Sequence, residues 1–287
     1  MQLKNRGVVI TGASQGLGRA IAEACVREGA HVVICARGKA LLEQTCAELS
    51  GLADGEQRVI CQAADVSKPE DVHRLFEIAR DRLPTLEGLV NNAGVYGPKG
   101  PIEDVEHEEW WKTIEVNFRG TVNTCIEVLP IFRRQHYGKI VNLSGGGATA
   151  PLPRFSAYAA SKAAVVRFTE TLAEETADVG IDVNAMAPGA LNTRLLDEVL
   201  SEEPGRVGAD FYQRALKQKT DGGASLENAA QLCTFLLSSE SDGISGRLIS
   251  AVWDPWRKLA GRVEELRKSD VYTLRRIVPA DRGVNWD

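Results

Sequence analysis

The chain has no apolar run approaching the roughly 18 residues that a membrane-spanning helix needs. It has no strong excess of either charge: 34 Lys and Arg stand against 39 Asp and Glu, a formal net charge of −5. That leaves no basic footprint for nucleic acid. Its six cysteines (Cys25, Cys35, Cys46, Cys61, Cys125, Cys233) are scattered, with no Cys-x-x-Cys pair. They read as small buried residues of a reducing, cytoplasmic compartment, and no metal site is expected. Met1-Gln2-Leu3-Lys4-Asn5-Arg6 leads straight into a strand pattern, so no signal peptide is expected. There is no internal repeat and no low-complexity segment. What remains is the composition of a soluble globular protein, 44% hydrophobic and 25% charged over 287 residues, long enough to bury a sizeable core in one domain.

Short β-branched runs alternate with longer helical patterns. Residues 8–11, 31–35, 59–62, 88–91, 139–143, 181–187 and 247–252 read as strands. Each is nearly continuous in apolar residues, as strands covered on both faces are. Residues 19–28, 39–49, 69–82, 106–135, 158–178 and 226–238 have helical spacing, with Ser67 expected to cap the third. The alternation predicts an α/β fold, a single doubly wound parallel sheet of about seven strands with helices on both faces. Ligands of such sheets bind at the carboxyl ends of the strands.

Two stretches break the rhythm. Residues 189–225 carry Pro204, Gly205, Gly208, Gly222 and Gly223 around an amphipathic piece, 209–219, and read as a lid. Residues 253–287 form a C-terminal extension bearing Trp253, Trp256, Trp286 and the basic Leu274-Arg275-Arg276. Exposed tryptophans are a liability, so the extension is expected to pack on the domain or on a neighbouring subunit, with the active site as one surface it borders.

The first strand pattern runs into Thr11-Gly12-Ala13-Ser14-Gln15-Gly16-Leu17-Gly18. A strand entering a tight glycine turn that opens a helix aims backbone N–H groups at an anion. Gly12 permits the turn, Gly16 lets the backbone approach a pyrophosphate, and Gly18 lets helix pack closely on strand. The end of the second strand selects between nicotinamide cofactors. A carboxylate there would take the ribose hydroxyls of NAD. Val32-Val33-Ile34-Cys35-Ala36-Arg37-Gly38-Lys39 contains none. Arg37 suits the 2′-phosphate of NADP, so NADP (NADPH) is expected ahead of NAD.

Past the middle of the chain Tyr158 and Lys162 stand four apart on one face of a helix. A free phenol has a pKa near 10. A cation about 4 Å away contributes roughly 4 kcal/mol at an effective dielectric of 20, on the order of three pKa units. The pair can therefore move a proton near neutral pH.

Thr11–Gly18, Asn91-Asn92-Ala93-Gly94, Asn117, Tyr158-Ala159-Ala160-Ser161-Lys162 and Pro188-Gly189 together resemble the short-chain dehydrogenase/reductase family, over roughly residues 5 to 252. The resemblance implies a Rossmann-type domain over 1–252, an NAD(P) cofactor and reversible carbonyl–alcohol chemistry. It implies that Tyr158 is the general acid/base, that Lys162 lowers its pKa and binds the nicotinamide ribose, and that Asn117 holds a relay water. Ser14, Gln15 and Leu17 belong to the cofactor turn. Asp65 and Val66 would meet the adenine, and Asn92, Ala93 and Gly94 would line the cofactor floor. Pro188, Gly189 and Thr193 would sit by the nicotinamide, Thr193 bonding its carboxamide. The resemblance also implies a homodimer or homotetramer paired through helices 106–135 and 158–178.

The family also uses a serine after the fifth strand to hold the substrate oxygen. Here that segment reads Asn142-Leu143-Ser144-Gly145-Gly146-Gly147-Ala148, and ungapped counting from Tyr158 puts the family's serine position on Gly145. The glycines let the loop bulge, so Ser144 is one candidate. Tyr158 alone, a backbone N–H, Thr149 or Ser156 are the others. The substrate wall is expected from Tyr96, Leu152, Phe155, Leu195, Leu196, Phe211 and Tyr212, with Arg154 and Arg194 available to an anionic group. The sequence thus points to an NADP-dependent oxidoreductase of a small-molecule carbonyl or secondary alcohol. An NAD-dependent dehydrogenase, a weakly catalytic NADP-binding sensor or scaffold, and a sugar-nucleotide epimerase or dehydratase are the alternatives.

Overall fold

A computed structural model describes residues 1–285; Trp286 lies outside the described residues. Seven parallel strands form one sheet: β1 (Gly7–Thr11), β2 (His31–Ala36), β3 (Val59–Ala63), β4 (Gly88–Asn91), β5 (Gly138–Leu143), β6 (Ile181–Ala187) and β7 (Leu248–Ser250). Their spatial order is β3-β2-β1-β4-β5-β6-β7, a Rossmann-type sheet. The strand order reverses between β1 and β4, and the crevice at that switch point opens at the strands' carboxyl ends.

The helices fall on two faces as the apolar strand runs require. On one face α1 (Gly16–Arg27), α2 (Lys39–Ser50) and α10 (Leu226–Leu237) close over Val8, Ile10, Val32 and Ile34. On the other, α3 (Pro69–Arg82), α5 (Gly120–Gln135) and α6 (Ser156–Glu175) cover Val9, Val33, Leu89 and Ile140. Lys139 breaks the apolar pattern of β5. It is 1% exposed and paired with Asp182 at 2.6 Å and Asp242 at 2.7 Å, so its charge is matched.

Three expectations needed correction. The helix expected over 106–135 is α4 (His107–Ile114), a π-helical turn (Glu115–Arg119) and then α5. Ser67 does not cap α3, because its hydroxyl donates to Asp65 Oδ1 at 2.7 Å and Lys68 stands at the cap. β7 is shorter than expected because the chain turns after Ser250, whose hydroxyl accepts from Val252 N at 3.3 Å and Trp253 N at 3.2 Å. The segment after β6 folds into α7 (Arg194–Leu200), α8 (Pro204–Val207) and α9 (Ala209–Asp221).

The extension lies on its own domain. Trp256 is 5% exposed and meets the Phe235 ring at 5.7 Å, with Arg257 stacked over it at 4.0 Å. Further on, the chain passes the open edge of β7, where Leu248 N–H donates to Tyr272 O at 2.8 Å, satisfying a group that an edge strand would leave free. The Arg247 guanidinium donates to Leu266 O (2.5 Å), Ser269 O (3.0 Å) and Val271 O (2.8 Å). Among the described residues no helix is long and apolar enough to cross a membrane.

Arg247 therefore ties the extension to the sheet through charge-assisted bonds. Arg247→Ala is expected to lower stability by about 2–4 kcal/mol. Denaturant unfolding should show that loss, and limited proteolysis should show early cleavage within residues 253–285.

Candidate active site

The glycine turn is closed by hydrogen bonds across the switch point. Thr11 Oγ1 accepts from Asn92 N at 3.0 Å and Ala93 N at 3.1 Å. Asn92 Nδ2 donates to Thr11 O at 2.9 Å and Gly12 O at 3.0 Å. Gly12 has φ +64°, and a Cβ there would lie 2.7 Å from Ala93 Cα. A Cβ on Gly18 would lie 2.4 Å from both Gly12 O and Asn92 Nδ2. Both glycines are thus demanded by close backbone approach. Gly16, at φ +57°, borders the cleft, where a Cβ would meet only the Thr193 side chain, at 3.5 Å. Helix α1 begins here with no side-chain cap and no acid in its first turn, leaving its N–H groups facing the cleft.

That cleft has a volume of about 1200 Å³ and runs from the end of β2 to Tyr158. Ser14, Gln15 and Leu17 line it on the turn, and Ser14 O accepts from Thr45 Oγ1 at 2.8 Å. Arg37 lines its far end, exposed and without an ion pair or hydrogen bond among the described residues. Beside it α2 also starts without a side-chain cap or an early acid. Asp65 and Val66 line the same end. Asp65 Oδ1 is held by Ser67 N at 3.0 Å, and Val66 O accepts from Asn123 Nδ2 at 2.9 Å. Ala93, Gly94, Pro188, Gly189 and Thr193 line the middle. Cleft and residues fit a dinucleotide: capless helix starts, an unpaired guanidinium, and turns with no room for side chains.

At the other end stand Tyr158 and Lys162, 7% and 5% exposed on consecutive turns of α6. Lys162 Nζ donates to Leu143 O at 2.7 Å and stands 5.7 Å from the Tyr158 ring centre. Burial pushes the Tyr158 hydroxyl above its ordinary value, and Tyr96 adds to the rise. Burial brings the Lys162 ammonium down to about 8. The sequence leads to the expectation of a lowered phenol; in this fold it is raised instead, and desolvation is the largest cause.

Asn117 is buried and lies behind the cleft wall. Its Oδ1 accepts from Val95 N at 2.8 Å, and its Nδ2 donates to Val95 O and Ser161 Oγ, each at 2.9 Å. The π-helical turn aims it there, as such turns do at functional sites. Ser144 Oγ is buried without a hydrogen-bond partner, and Ser144 lines the cleft. Gly145 has no room for a side chain, because its Cβ would stand 2.3 Å from the Tyr158 hydroxyl. Of the alternatives to Ser144, Ser156 Oγ accepts from Trp110 Nε1 at 3.0 Å and Thr149 is exposed away from the cleft.

Tyr96, Leu152, Leu195, Leu196 and Phe211 form the wall beside Tyr158. Phe155 and Tyr212, expected there, do not line it. Phe155 is fully buried between the Tyr96 and Phe211 rings, and Tyr212 Oη donates to Leu200 O at 3.4 Å. Arg154 is drawn off to Gly205 O at 2.7 Å. Arg194 lines the cleft but is paired with Glu198. Sequence reasoning missed Val199, Arg214, Gln218 and Ser250, which line the cleft. Arg214 stands three residues after Phe211 on the amphipathic helix, a spacing that was the available signal. Of the described extension, Trp253 lines the cleft and is 84% exposed.

The short chain dehydrogenase family model matches residues 6–204. A short-chain type dehydrogenase/reductase of Picea abies is 33% identical over 86% of this chain and 91% of its own. A 3β-hydroxysteroid dehydrogenase of Eggerthella lenta is 36% identical over 85% and 91%. The crystal structure of levodione reductase matches with a TM-score of 0.78 and 28% identity, over 86% of this chain and 96% of that one. A match that runs from the first strand into the segment beyond β6, with relatives of this identity across nearly their whole length, establishes that the chain belongs to the short-chain dehydrogenase/reductase family, NAD(P)-binding oxidoreductases that act on CH–OH groups.

Proposed function

We propose that this protein is an NADP-dependent oxidoreductase that interconverts a carbonyl and a secondary alcohol, with Tyr158 as general acid/base. The observation that carries the reading is the continuous cleft, with an unpartnered Arg37 at one end and the buried Tyr158–Lys162 pair at the other. Arg37 and the start of α2 take the 2′-phosphate. The turn from Gly12 to Gly18 and the start of α1 take the pyrophosphate. Asp65 and Val66 hold the adenine, and Asn92, through Ala93 and Gly94, sets the floor. Pro188, Gly189 and Thr193 hold the nicotinamide end.

When bound, the cofactor would supply or accept the hydride. The chain's own work is proton transfer and positioning. Tyr158, kept protonated by burial, donates its proton to the carbonyl oxygen in the reductive direction. Lys162 grips the ribose hydroxyls and stabilises the phenolate that remains. Asn117 positions rather than reacts, fixing Val95 against Ser161. Ser144 offers its unpaired hydroxyl to the same oxygen. Helices α7–α9 act as a lid, latched to the body where the buried Lys99 meets Glu202 at 3.3 Å. The exposed Trp111 and Ile126 on α4 and α5 support pairing of subunits through that face.

Fluorescence titration tests the cofactor assignment first. Arg37→Ala should weaken NADPH binding about tenfold to a hundredfold and leave NADH binding far less changed. Equal affinity of the native protein for both cofactors would overturn the assignment. Tyr158→Phe should lower kcat about 10²- to 10⁴-fold while NADPH still binds, and an active variant would remove the proton-transfer role. Ser144→Ala should lower kcat/KM about tenfold to a hundredfold yet cost no stability, because the hydroxyl has no partner to lose. Thermal unfolding alongside kinetics reads both halves, and a large fall in Tm with full activity would contradict the assignment.

A further inference from the structure

Five charged side chains line the cleft: Arg37, Asp65, Lys162, Arg194 and Arg214. The cofactor reading uses the first three, and Arg194 is neutralised by Glu198 one turn along α7. Arg214 is left over. It has no ion pair or hydrogen bond among the described residues, and its guanidinium stands 5.9 Å from the Phe211 ring centre. Asp210, one turn before it on α9, makes no ion pair with it.

Arg214 also lines a second cavity, of about 360 Å³, between residues 151–154 and 207–211. Leu152, Phe211 and Arg214 are common to both cavities, so Arg214 stands where they meet. The smaller one adds Arg154 and Asp210, and two guanidiniums against one carboxylate leave it positive. From Phe211, beside Arg214, a series of ring contacts runs through Phe155, buried behind the cleft wall, to Tyr158. Tyr158 meets Tyr96 at 4.7 Å, Tyr96 meets Phe155 at 5.3 Å, and Phe155 meets Phe211 at 4.8 Å.

We propose that Arg214 determines specificity by receiving the carboxylate of a substrate whose carbonyl lies at Tyr158. The substrate class is then a keto acid, or the matching hydroxy acid, with an apolar segment between its two functional groups. A guanidinium suits the role because its planar fork matches a carboxylate, and Phe211 stands beside it at 5.9 Å. This rests on the oxidoreductase reading above, so its test includes binding without turnover.

Calorimetry with octanoate and octanamide compares an anion with a neutral molecule of the same length. The native protein should bind octanoate about tenfold more tightly, a ratio that falls toward one in Arg214→Gln and is partly restored in Arg214→Lys. With NADPH, 7-oxooctanoate should exceed its methyl ester in kcat/KM by a similar factor, and Arg214→Gln should erase the difference mainly through KM. Equal binding of octanoate and octanamide, or an octanoate preference that survives Arg214→Gln, overturns the proposal. An octanoate preference lost in Arg214→Gln, with no carbonyl reduced, keeps the anion site and strikes the oxidoreductase reading instead.

Discussion

The Thr11 hydroxyl is the point on which the site depends. It accepts two backbone N–H groups from the loop after β4, while Asn92 returns two bonds to the end of β1. Parallel strands β1 and β4 part company here, since their connections leave toward opposite faces of the sheet. Without a clamp the crevice would have no fixed width. With it, the glycine turn and the 92–94 floor become one rigid surface, and the helix start behind Gly16 has a fixed direction. The glycines follow from the clamp, because Ala93 occupies the space a side chain at Gly12 would need and Asn92 that at Gly18.

Burial sets the chemistry at the other end. Low dielectric opposes charge on both partners, raising the phenol and bringing the ammonium down to about 8. Both shifts have the same cause, and they leave Tyr158 protonated and Lys162 close to its own titration. The Ser144 hydroxyl is buried there too without a partner, and a buried polar group left unmet is costly. The Tyr158 hydroxyl also accounts for Gly145, as it fills the space of a side chain there.

The rim is decided by the two irregular segments. The region after β6 supplies α7–α9 and the apolar wall. The extension closes the β7 edge through Arg247 and buries Trp256, leaving Trp253 at the cleft. Polar ties between distant residues hold each segment: Lys99 meets Glu202 after α7, and the Arg247 guanidinium donates to the extension.

The alternation of apolar runs and amphipathic helices was enough to read the layers, the parallel sheet and the strand ends that hold the site. The glycine turn, Arg37, and the Tyr158–Lys162 spacing were also legible, because each depends on residues close in sequence. What the sequence could not contain was the outcome of packing between distant segments. Asn117 is turned inward by a π-helical turn that helical periodicity reads as continuous helix. Phe155 is displaced from the wall by two rings that arrive from Tyr96 and Phe211, 59 residues before and 56 after it. Arg154 is taken by Gly205 O from across the fold and Arg194 by Glu198 one turn along α7, while Arg214 reaches the cleft only because α9 folds back over it. Local propensity acts within a few residues, so it determined the elements and the motif chemistry; burial, charge pairing and ring stacking act across the fold, so only the tertiary structure decided which polar groups stay free to meet a ligand.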